Sequence, residues 1–259
     1  MKSGHACVLY VDMLGFSALT EGHPDVFVTR VDGDFETTAM TPSSAQFNRF
    51  HRILEQYVVR RSLDGADRAM IFSDCAFLVF PNALLAATHS VELMRNFLVE
   101  RVPVRMGLGH GTCHAVRFTS DTIDKFSLTR AMFSGTAIVR SSEAEKKGGK
   151  GCRIFVHPSL TDQVGFIEQS VPVLVLPLPS EFAQWELCYL HDHHSPAIPG
   201  RSAADLDLDL LSSVEIMRRQ NQEPIDPKVA TQYTDTFAAL NRMRLKLSRP
   251  LMDLPEESI

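Results

Sequence analysis

The hydrophobic pattern of the chain contains several short runs with the spacing of β-strands. Residues 5–11 form an apolar, β-prone run that stops at Asp12, which predicts a strand buried on both faces. Two further apolar runs, at 68–72 and 75–80, are separated by only two residues, a spacing typical of a tight hairpin. Residues 102–116 show a strand pattern that contains three glycines.

Other segments repeat their apolar side chains every three to four residues, as an amphipathic helix does. A serine or an asparagine precedes the first two of them and can accept the unpaired N–H groups of a helix start. The third ends at a glycine-rich turn, residues 148–151, as helices commonly do. The predicted helices run from residue 43 or 44 to 61, from 82 to about 100, and from 135 to 147.

The remaining segments complete the predicted order of elements. Polar residues with Gly, Pro and Asp at 21–42 predict a loop, and residues 13–20 predict a short helix or turn. Further strand candidates lie at 152–156, 166–168, 171–176 and 185–190. This mixture of β-α-β steps with a hairpin predicts an α+β fold. We expect a ferredoxin-like palm, with a mixed and mainly antiparallel sheet, rather than a doubly wound sheet.

The composition changes after the last strand candidate. Residues 191–202 combine histidines, prolines and a glycine, which indicates a loop. Asp226 and Pro227 form a helix start, and the apolar stripe beyond them predicts an amphipathic helix. We therefore expect a main domain at 1–190, followed at 191–259 by a loop and a helical C-terminal extension.

Composition and charge exclude some classes of protein. Of 259 residues, 44% are hydrophobic and 22% charged, and the formal charge of −5 does not suit a protein that coats nucleic acid. No apolar stretch approaches the roughly 20 residues that span a bilayer, and no signal-peptide cleavage pattern is present. Five widely spaced cysteines without a CxxC pair indicate reduced thiols, so we expect a cytoplasmic protein.

Two aspartates carry the clearest chemical signal. Asp12 ends the first predicted strand, and Asp74 sits at the tip of the predicted hairpin. Carboxylates at neighbouring strand ends can share hard divalent cations, and two such cations can orient a triphosphate. Aspartates are also common turn formers, so position alone favours a purely structural role.

Four blocks of sequence, in order, resemble class III nucleotidyl cyclases, the adenylate and guanylate cyclases. VLYVDMLGFSALTE resembles their opening motif, and MIFSDCAFLVF resembles their hairpin motif, with Ser73 in place of a Gly. VPVRMGLGHGTCHAV resembles their Arg-x-Gly-x-x-x-Gly strand. FSGTAIVRSSEAEKKGGKGCRIFVHPSL resembles their dimer helix and the strand after it.

The resemblance implies a site for two divalent cations, Mg²⁺ or Mn²⁺, held by Asp12, Asp74 and the backbone carbonyl of Met13. The backbone amides facing the triphosphate would be those of Leu14, Gly15 and Phe16. N–H groups at a helix start suit anions in this way. The family works as a head-to-tail homodimer with its active sites between the subunits. In its reaction the ribose 3′-hydroxyl attacks the α-phosphate and releases pyrophosphate.

Several positions depart from the family pattern. Met70 and Met132 stand where the family has a Lys and an Asp that read the purine, and a thioether donates no hydrogen bond. Val139 and Glu143 stand where the family has a transition-state Asn and Arg. Arg140 is the nearest cation and would take that catalytic role if the alignment shifts by one residue.

A palm with both metal aspartates and neither purine reader resembles the pyrimidine cyclases of bacterial anti-phage (Pycsar) systems. That resemblance implies a uridylate cyclase, with UTP favoured over CTP as substrate and a cyclic nucleotide as the alarm signal. One alternative is an adenylate or guanylate cyclase with an altered base pocket. Another is a catalytically inactive cyclase-like module that binds a nucleotide or a partner, which Val139 and Glu143 favour.

Weaker signals have structural interpretations. The glycines at 107, 109 and 111 indicate close approach of another backbone, since they lie within a strand pattern. Phe50 has helical spacing, which favours a core position over stacking on a base. The histidines at 191, 193 and 194 lie in a loop-like stretch, which argues against a specific metal site.

Overall fold

The computed structural model describes residues 4–16, 29–31, 34–36, 42–61, 68–123, 126–170, 175–178, 181–190, 203–220 and 227–252. The strands are β1 (Gly4–Met13), β2 (Thr29–Val31), β3 (Asp34–Glu36), β4 (Arg68–Ile71), β5 (Cys75–Phe80), β6 (Val104–Ile123), β7 (Phe126–Ser134), β8 (Ile154–Val156), β9 (Val175–Pro177) and β10 (Trp185–Leu187). The helices are α1 (Pro42–Arg61), α2 (Ala83–Val99), α3 (Thr136–Gly148), α4 (Thr161–Ser170), α5 (Ala203–Gln220) and α6 (Pro227–Lys246). A 3-10 turn at Pro158–Leu160 leads into α4.

Eight strands form one sheet around β1 and β6. The order is β4-β5-β1-β6-β8-β10-β9, and β7 pairs with β6 outside this path. Strands β6 and β8 run parallel, and the other neighbouring pairs are antiparallel. The predicted α+β palm, with its mixed and mainly antiparallel sheet, is confirmed.

Most predicted elements are present. Asn82 caps α2 as predicted, because its Oδ1 accepts the Leu85 N–H at 2.9 Å. The β4–β5 hairpin turns at Ser73 and Asp74, and α3 ends in the predicted glycine-rich turn. The predicted loop at 191–202, with its histidines, lies outside the described residues.

Three predictions are wrong or incomplete. Residues 166–168, predicted as a strand, lie inside α4, where Phe166 is 59% exposed and Ile167 is buried. So short an apolar run does not distinguish a strand from one turn of a helix. The predicted loop at 21–42 contains the β2–β3 hairpin, and β6 continues to Ile123 and pairs with β7. The sequence between 117 and 131 holds many polar side chains, so no apolar run marks these strands.

Helix α3 lies directly on β6 because glycines of the strand present no side chain to it. A Cβ at Gly107 would collide with the backbone of Ser141 and Glu145. One at Gly109 would lie 2.6 Å from the Ser141 backbone nitrogen. The predicted close backbone approach is confirmed, and it holds Glu145 of α3 above the strand.

Alternate residues of β1 face two hydrophobic clusters on opposite sides of the sheet. The larger cluster contains Phe50, which is fully buried and stacks on Phe97 with ring centroids 5.3 Å apart. Its predicted core position is therefore confirmed. Val214 of α5 and Leu240 of α6 belong to the same cluster. The C-terminal helices therefore share one core with the sheet.

Helix α6 is hydrogen-bonded to the turn that follows α3. Gln232 Oε1 accepts the Gly151 N–H at 2.7 Å, and Thr236 Oγ1 accepts the Cys152 N–H at 2.8 Å. Gly151 has a φ of +87°, and a Cβ there would lie 2.7 Å from the Thr236 backbone nitrogen. The turn and the helix therefore fit each other only with glycine at this position.

Two further observations concern membrane-spanning helices and disulfides. None of the helices in the described ranges is both long and apolar enough to cross a membrane. The five cysteines all lie in described ranges and form no disulfide there.

The glycine contacts of α3 predict that Gly109→Ala destabilises the fold. The added methyl group must push α3 away from β6, and overpacking of this kind costs about 1–3 kcal/mol. Urea denaturation should show a lower midpoint than that of the wild-type chain.

Gly165→Ala is the matched control for this substitution. Gly165 lies in α4, and a Cβ there meets nothing within 4 Å. Alanine is favoured over glycine in a helix by about 1 kcal/mol, so its midpoint should rise. A Gly109→Ala chain as stable as the wild type would contradict the close packing of α3 on β6.

Candidate active site

Asp12 and Asp74 come together because the β4–β5 turn lies beside the end of β1. Asp12 pairs in register with Cys75, the residue that follows Asp74. The Met13 N–H donates to the Asp74 carbonyl oxygen at 2.9 Å and ties the turn to the strand. Both aspartates are half-buried. The structure therefore brings the two residues together, and their role as metal ligands stays a prediction.

The surroundings of Asp12 hold too little positive charge for a buried carboxylate. Burial raises the pKa of Asp12, and the negative charge of Asp74 adds to the rise. The Tyr10 hydroxyl, which donates to Asp12 Oδ1 at 3.2 Å, opposes the rise, as do the charges of Arg105 and Lys146. Since burial outweighs them, a bound cation would stabilise the ionised form.

A buried ion pair lies beside Asp12. Arg105 is the register partner of Asp12 on β6, and its guanidinium pairs with Glu145 through Nε, at 2.5 Å, and through Nη2. Its Nη1 donates to the Gly149 carbonyl oxygen at 3.1 Å. The Glu145 side chain is 1% exposed, and its Oε2 has no hydrogen-bond partner within the described part of the chain. Burial raises the pKa of Glu145 to about 7, despite the arginine.

The loop after β1 offers fewer amides to a phosphate than the resemblance implies. The Leu14 N–H donates to the Pro103 carbonyl oxygen at 2.9 Å, so it is already used. Gly15 has a φ of +73° and is exposed, and Phe16 is half-buried. The Leu14 amide is therefore occupied, and the predicted phosphate contact of this loop stays a prediction.

An apolar, aromatic cluster packs on the same face of the sheet as Asp12. Met70 is 5% exposed and packs in a cluster with Tyr10 and Phe77, whose ring centroids lie 4.6 Å apart. Phe133 contacts both Phe77 and Phe72, with centroids 5.2 and 5.5 Å apart. Met132 pairs with Val116 through its backbone, and its side chain is outside the described residues.

Arg140 lies far from Asp12 within one chain. Its Nη1 donates to the His110 carbonyl oxygen at 2.8 Å. His110 pairs with Cys7, five residues before Asp12, which corresponds to about 17 Å along the strand. Glu143, at the other departure from the family pattern, forms an exposed ion pair with Lys147 at 3.0 Å.

The donor set suits a hard divalent cation that is shared with a substrate. Among the described residues, no group of three or more His, Cys, Asp and Glu side chains could hold a metal ion. Two carboxylates and a backbone carbonyl are a partial set, which Mg²⁺ typically completes with substrate phosphates and water. Mn²⁺ accepts the same oxygen ligands. The residues present therefore fit divalent cations whose remaining ligands are water or substrate phosphates.

Four residues around Asp12 have no role in the site that the sequence predicts. These are Tyr10, Arg105, Glu145 and Lys146. Lys146 is exposed, yet its charge acts on Asp12 and Glu145. Glu145 did carry a signal, because it falls on the buried stripe of α3, where a charged side chain requires a partner.

The raised pKa of Asp12 predicts that Asp12→Asn stabilises the protein in EDTA at neutral pH. The folded state retains the Asp12 proton above 3.8, the ordinary pKa, so the ionised carboxylate opposes folding once the pH exceeds the raised value. Asparagine removes that charge and can still accept the Tyr10 hydrogen bond. The melting temperature should rise by about 2–4 °C for each kcal/mol gained.

Thermal scans across pH provide the control for this prediction. Wild-type stability in EDTA should fall more steeply than that of Asp12→Asn as the pH rises above 3.8. Glu168→Gln, at an exposed position on α4, should leave the melting temperature unchanged. A lower melting temperature for Asp12→Asn at neutral pH would show that the carboxylate stabilises the fold.

The fold of the chain is similar to that of several solved structures. No protein-family model matches the chain, and no curated protein sequence matches it significantly. Among solved structures, it is similar to the adenylyl cyclase CyaB from P. aeruginosa. The TM-score is 0.51 with 12% identity, over 72% of this chain and 96% of that one.

Two further structures are similar at lower scores. The guanylyl cyclase Cya2 has a TM-score of 0.46 at 15% identity, over 72% of this chain and 93% of that one. A bacterial light-regulated adenylyl cyclase has a TM-score of 0.47 at 12% identity, over 84% of this chain and 100% of that one. The likeness to CyaB shows that this chain shares the fold of that protein, in agreement with the predicted palm.

Proposed function

We propose that this protein is a pyrimidine nucleotide cyclase, which converts UTP, in preference to CTP, to the 3′,5′-cyclic nucleotide and pyrophosphate. The observation that carries the proposal is the juxtaposition of Asp12 and Asp74 at the end of β1 in a cyclase palm. We further propose that the product is a cytoplasmic second messenger in bacterial anti-phage defence. That role is supported by the resemblance of the motifs to Pycsar cyclases.

The residues at the end of β1 would bind and orient the triphosphate. Asp12, Asp74 and the Met13 carbonyl would hold two divalent cations, Mg²⁺ or Mn²⁺. Bound there, such cations activate a hydroxyl and stabilise the charge on the phosphates. The amides of Gly15 and Phe16 would bind phosphate oxygens. The ribose 3′-oxygen loses its proton and bonds to the α-phosphorus, and the bond from that phosphorus to pyrophosphate breaks.

A homodimer with shared sites is part of the proposal. Arg140 lies about 17 Å along the strands from Asp12, so one chain does not place both against one substrate. A head-to-tail partner would bring its own α3 to the aspartates. Val139, next to Arg140 on α3, is 59% exposed, so this part of the helix is accessible to such a partner.

The pyrimidine preference is supported by the replacement of both purine-reading positions of the family with methionine. The positions at which the family reads a purine hold Met70 and Met132, and aromatic rings at Phe72 and Phe133 lie nearby. These methionine and phenylalanine side chains offer stacking and little hydrogen bonding to the edge of a base. We therefore include Met70 and Met132 in the proposed base pocket.

A second candidate function is an inactive cyclase-like module that binds a nucleotide or a partner. Val139 and Glu143 favour it, since neither can supply the cation or amide that stabilises the transition state in the family. Retention of both aspartates favours the enzyme instead. Incubation with each NTP distinguishes these functions, and also the purine cyclase with an altered pocket.

We predict that the purified chain with Mn²⁺ forms cyclic UMP from UTP, detected by liquid chromatography and mass spectrometry. CTP should give less product, and ATP and GTP should give little. A purine product would support the adenylate or guanylate cyclase. No product from any NTP, with an intact dimer, would contradict both enzyme proposals.

Asp12→Ala and Asp74→Ala should each lower turnover by about 1000-fold or more, which corresponds to several kcal/mol of lost charge stabilisation. Circular dichroism should show that both variants remain folded. Glu168→Gln is the control for a lost carboxylate and should retain full turnover. Arg140→Ala tests the remaining cation, and normal turnover in that variant would exclude a catalytic role for Arg140.

A further inference from the structure

The arrangement of charges around Asp12 is unusual for two strands in register. Asp12 on β1 and Arg105 on β6 are direct cross-strand partners. Side chains at such positions have Cβ atoms about 4.5–5.5 Å apart, and opposite charges there normally pair. Yet within the described part of the chain, the hydrogen bond recorded for the Asp12 carboxylate is the one from Tyr10.

Arg105 is turned toward α3 instead. Two of its nitrogens, Nε and Nη2, bind Glu145 Oε1, and the third, Nη1, binds the Gly149 carbonyl oxygen. All three nitrogens of the guanidinium are therefore directed at one end of α3 and its turn. Arg105 still acts on Asp12 through its charge, but makes no hydrogen bond or ion pair with it among the described residues.

Burial of Glu145, which accepts the hydrogen bonds of Arg105, lowers the stability of the fold. Glu145 is almost completely buried, and one of its oxygens has no hydrogen-bond partner in the described ranges. An unsatisfied buried carboxylate oxygen destabilises a protein, and a hydrophobic pair of similar size is often at least as stable as a buried ion pair. Such an arrangement calls for a functional explanation.

We propose that Glu145 is a positioning residue that holds Arg105 away from Asp12 and so leaves the Asp12 carboxylate available to a divalent cation. Without Glu145, Arg105 pairs with Asp12 and competes with the cation for the same oxygens. The inference rests on the proposed metal site, and concerns the affinity of that site for metal rather than the chemistry of the nucleotide.

The test measures Mn²⁺ binding to the purified, nucleotide-free chain by isothermal titration calorimetry. Glu145→Gln keeps the shape of the side chain and removes its charge. It should raise the Kd for Mn²⁺ about 10-fold or more, as loss of a residue that supports metal ligands typically does. Glu168→Gln removes the same charge at an exposed site and should change the Kd less than twofold.

The double variant Arg105→Met/Glu145→Gln separates this role from simple support of the fold. It removes the competing guanidinium along with its partner, so its Kd should return to within about threefold of the wild-type value. A double variant as weak as Glu145→Gln would overturn the proposal, since Glu145 would then act on Asp12 by packing. An unchanged Kd in Glu145→Gln would also overturn it.

If Glu145→Gln does not fold, the single variant Arg105→Met still tests the proposal. Removal of the competitor should leave the Kd for Mn²⁺ equal to or lower than that of the wild type. A higher Kd would overturn the proposal, because Arg105 would then support metal binding. A wild-type chain that binds no Mn²⁺ would contradict the metal site of the proposed function and this inference with it. Wild-type binding with no response to Glu145→Gln would contradict the inference alone.

Discussion

The close contact between α3 and the glycines of β6 is the constraint on which the site depends. Because Gly107 and Gly109 have no side chains, the backbone of α3 rests on the strand. That distance lets the Glu145 carboxylate reach the Arg105 guanidinium on the same strand. A larger residue at either glycine would lift the helix and separate the two charges. The position of the buried ion pair beside Asp12 is thus a consequence of backbone packing.

Negative charge exceeds positive charge at the end of β1. Asp12, Asp74 and Glu145 contribute three carboxylates, of which Arg105 neutralises one through direct contact. Lys146 adds a more distant positive charge at the exposed end of α3. The remaining negative charge is held partly out of water, where it is poorly solvated. A region of this kind favours divalent cations, and under the proposed function such cations, rather than a basic surface, would hold the triphosphate.

The sequence predicts those parts of the fold that carry a local signal. Strand β1 is an unbroken apolar run, the β4–β5 hairpin has only two residues between its strands, and α2 has Asn82 as its cap. Strand β7 has no such signal, because polar residues interrupt its apolar positions, and its pairing with the extension of β6 identifies it. The three-residue run at 166–168 fits a strand and a helix equally well, and packing decides between them.

The candidate site likewise has one part that local sequence signals predict and another that depends on tertiary packing. The juxtaposition of Asp12 and Asp74 follows from a hairpin tip next to a strand end, and motif resemblance adds their chemistry. The partnership of Arg105 with Glu145 joins residues 40 apart and depends on strand register and helix packing together. The hydrogen bond that occupies the Leu14 amide likewise involves Pro103, on a distant segment. Such contacts are products of tertiary structure, which local periodicity does not report.

The hydrogen bonds between α6 and the turn after α3 impose an order on the folding of the chain. Their partners lie 81 and 84 residues apart, so the turn cannot be completed before α6 has been synthesised. The same turn supplies the Gly149 carbonyl that binds Arg105. Contacts of such long range form late, since the entropy of closing the intervening loop must first be overcome. On the ribosome, a nascent chain that already displays both aspartates therefore lacks a finished site until α6 has emerged and docked.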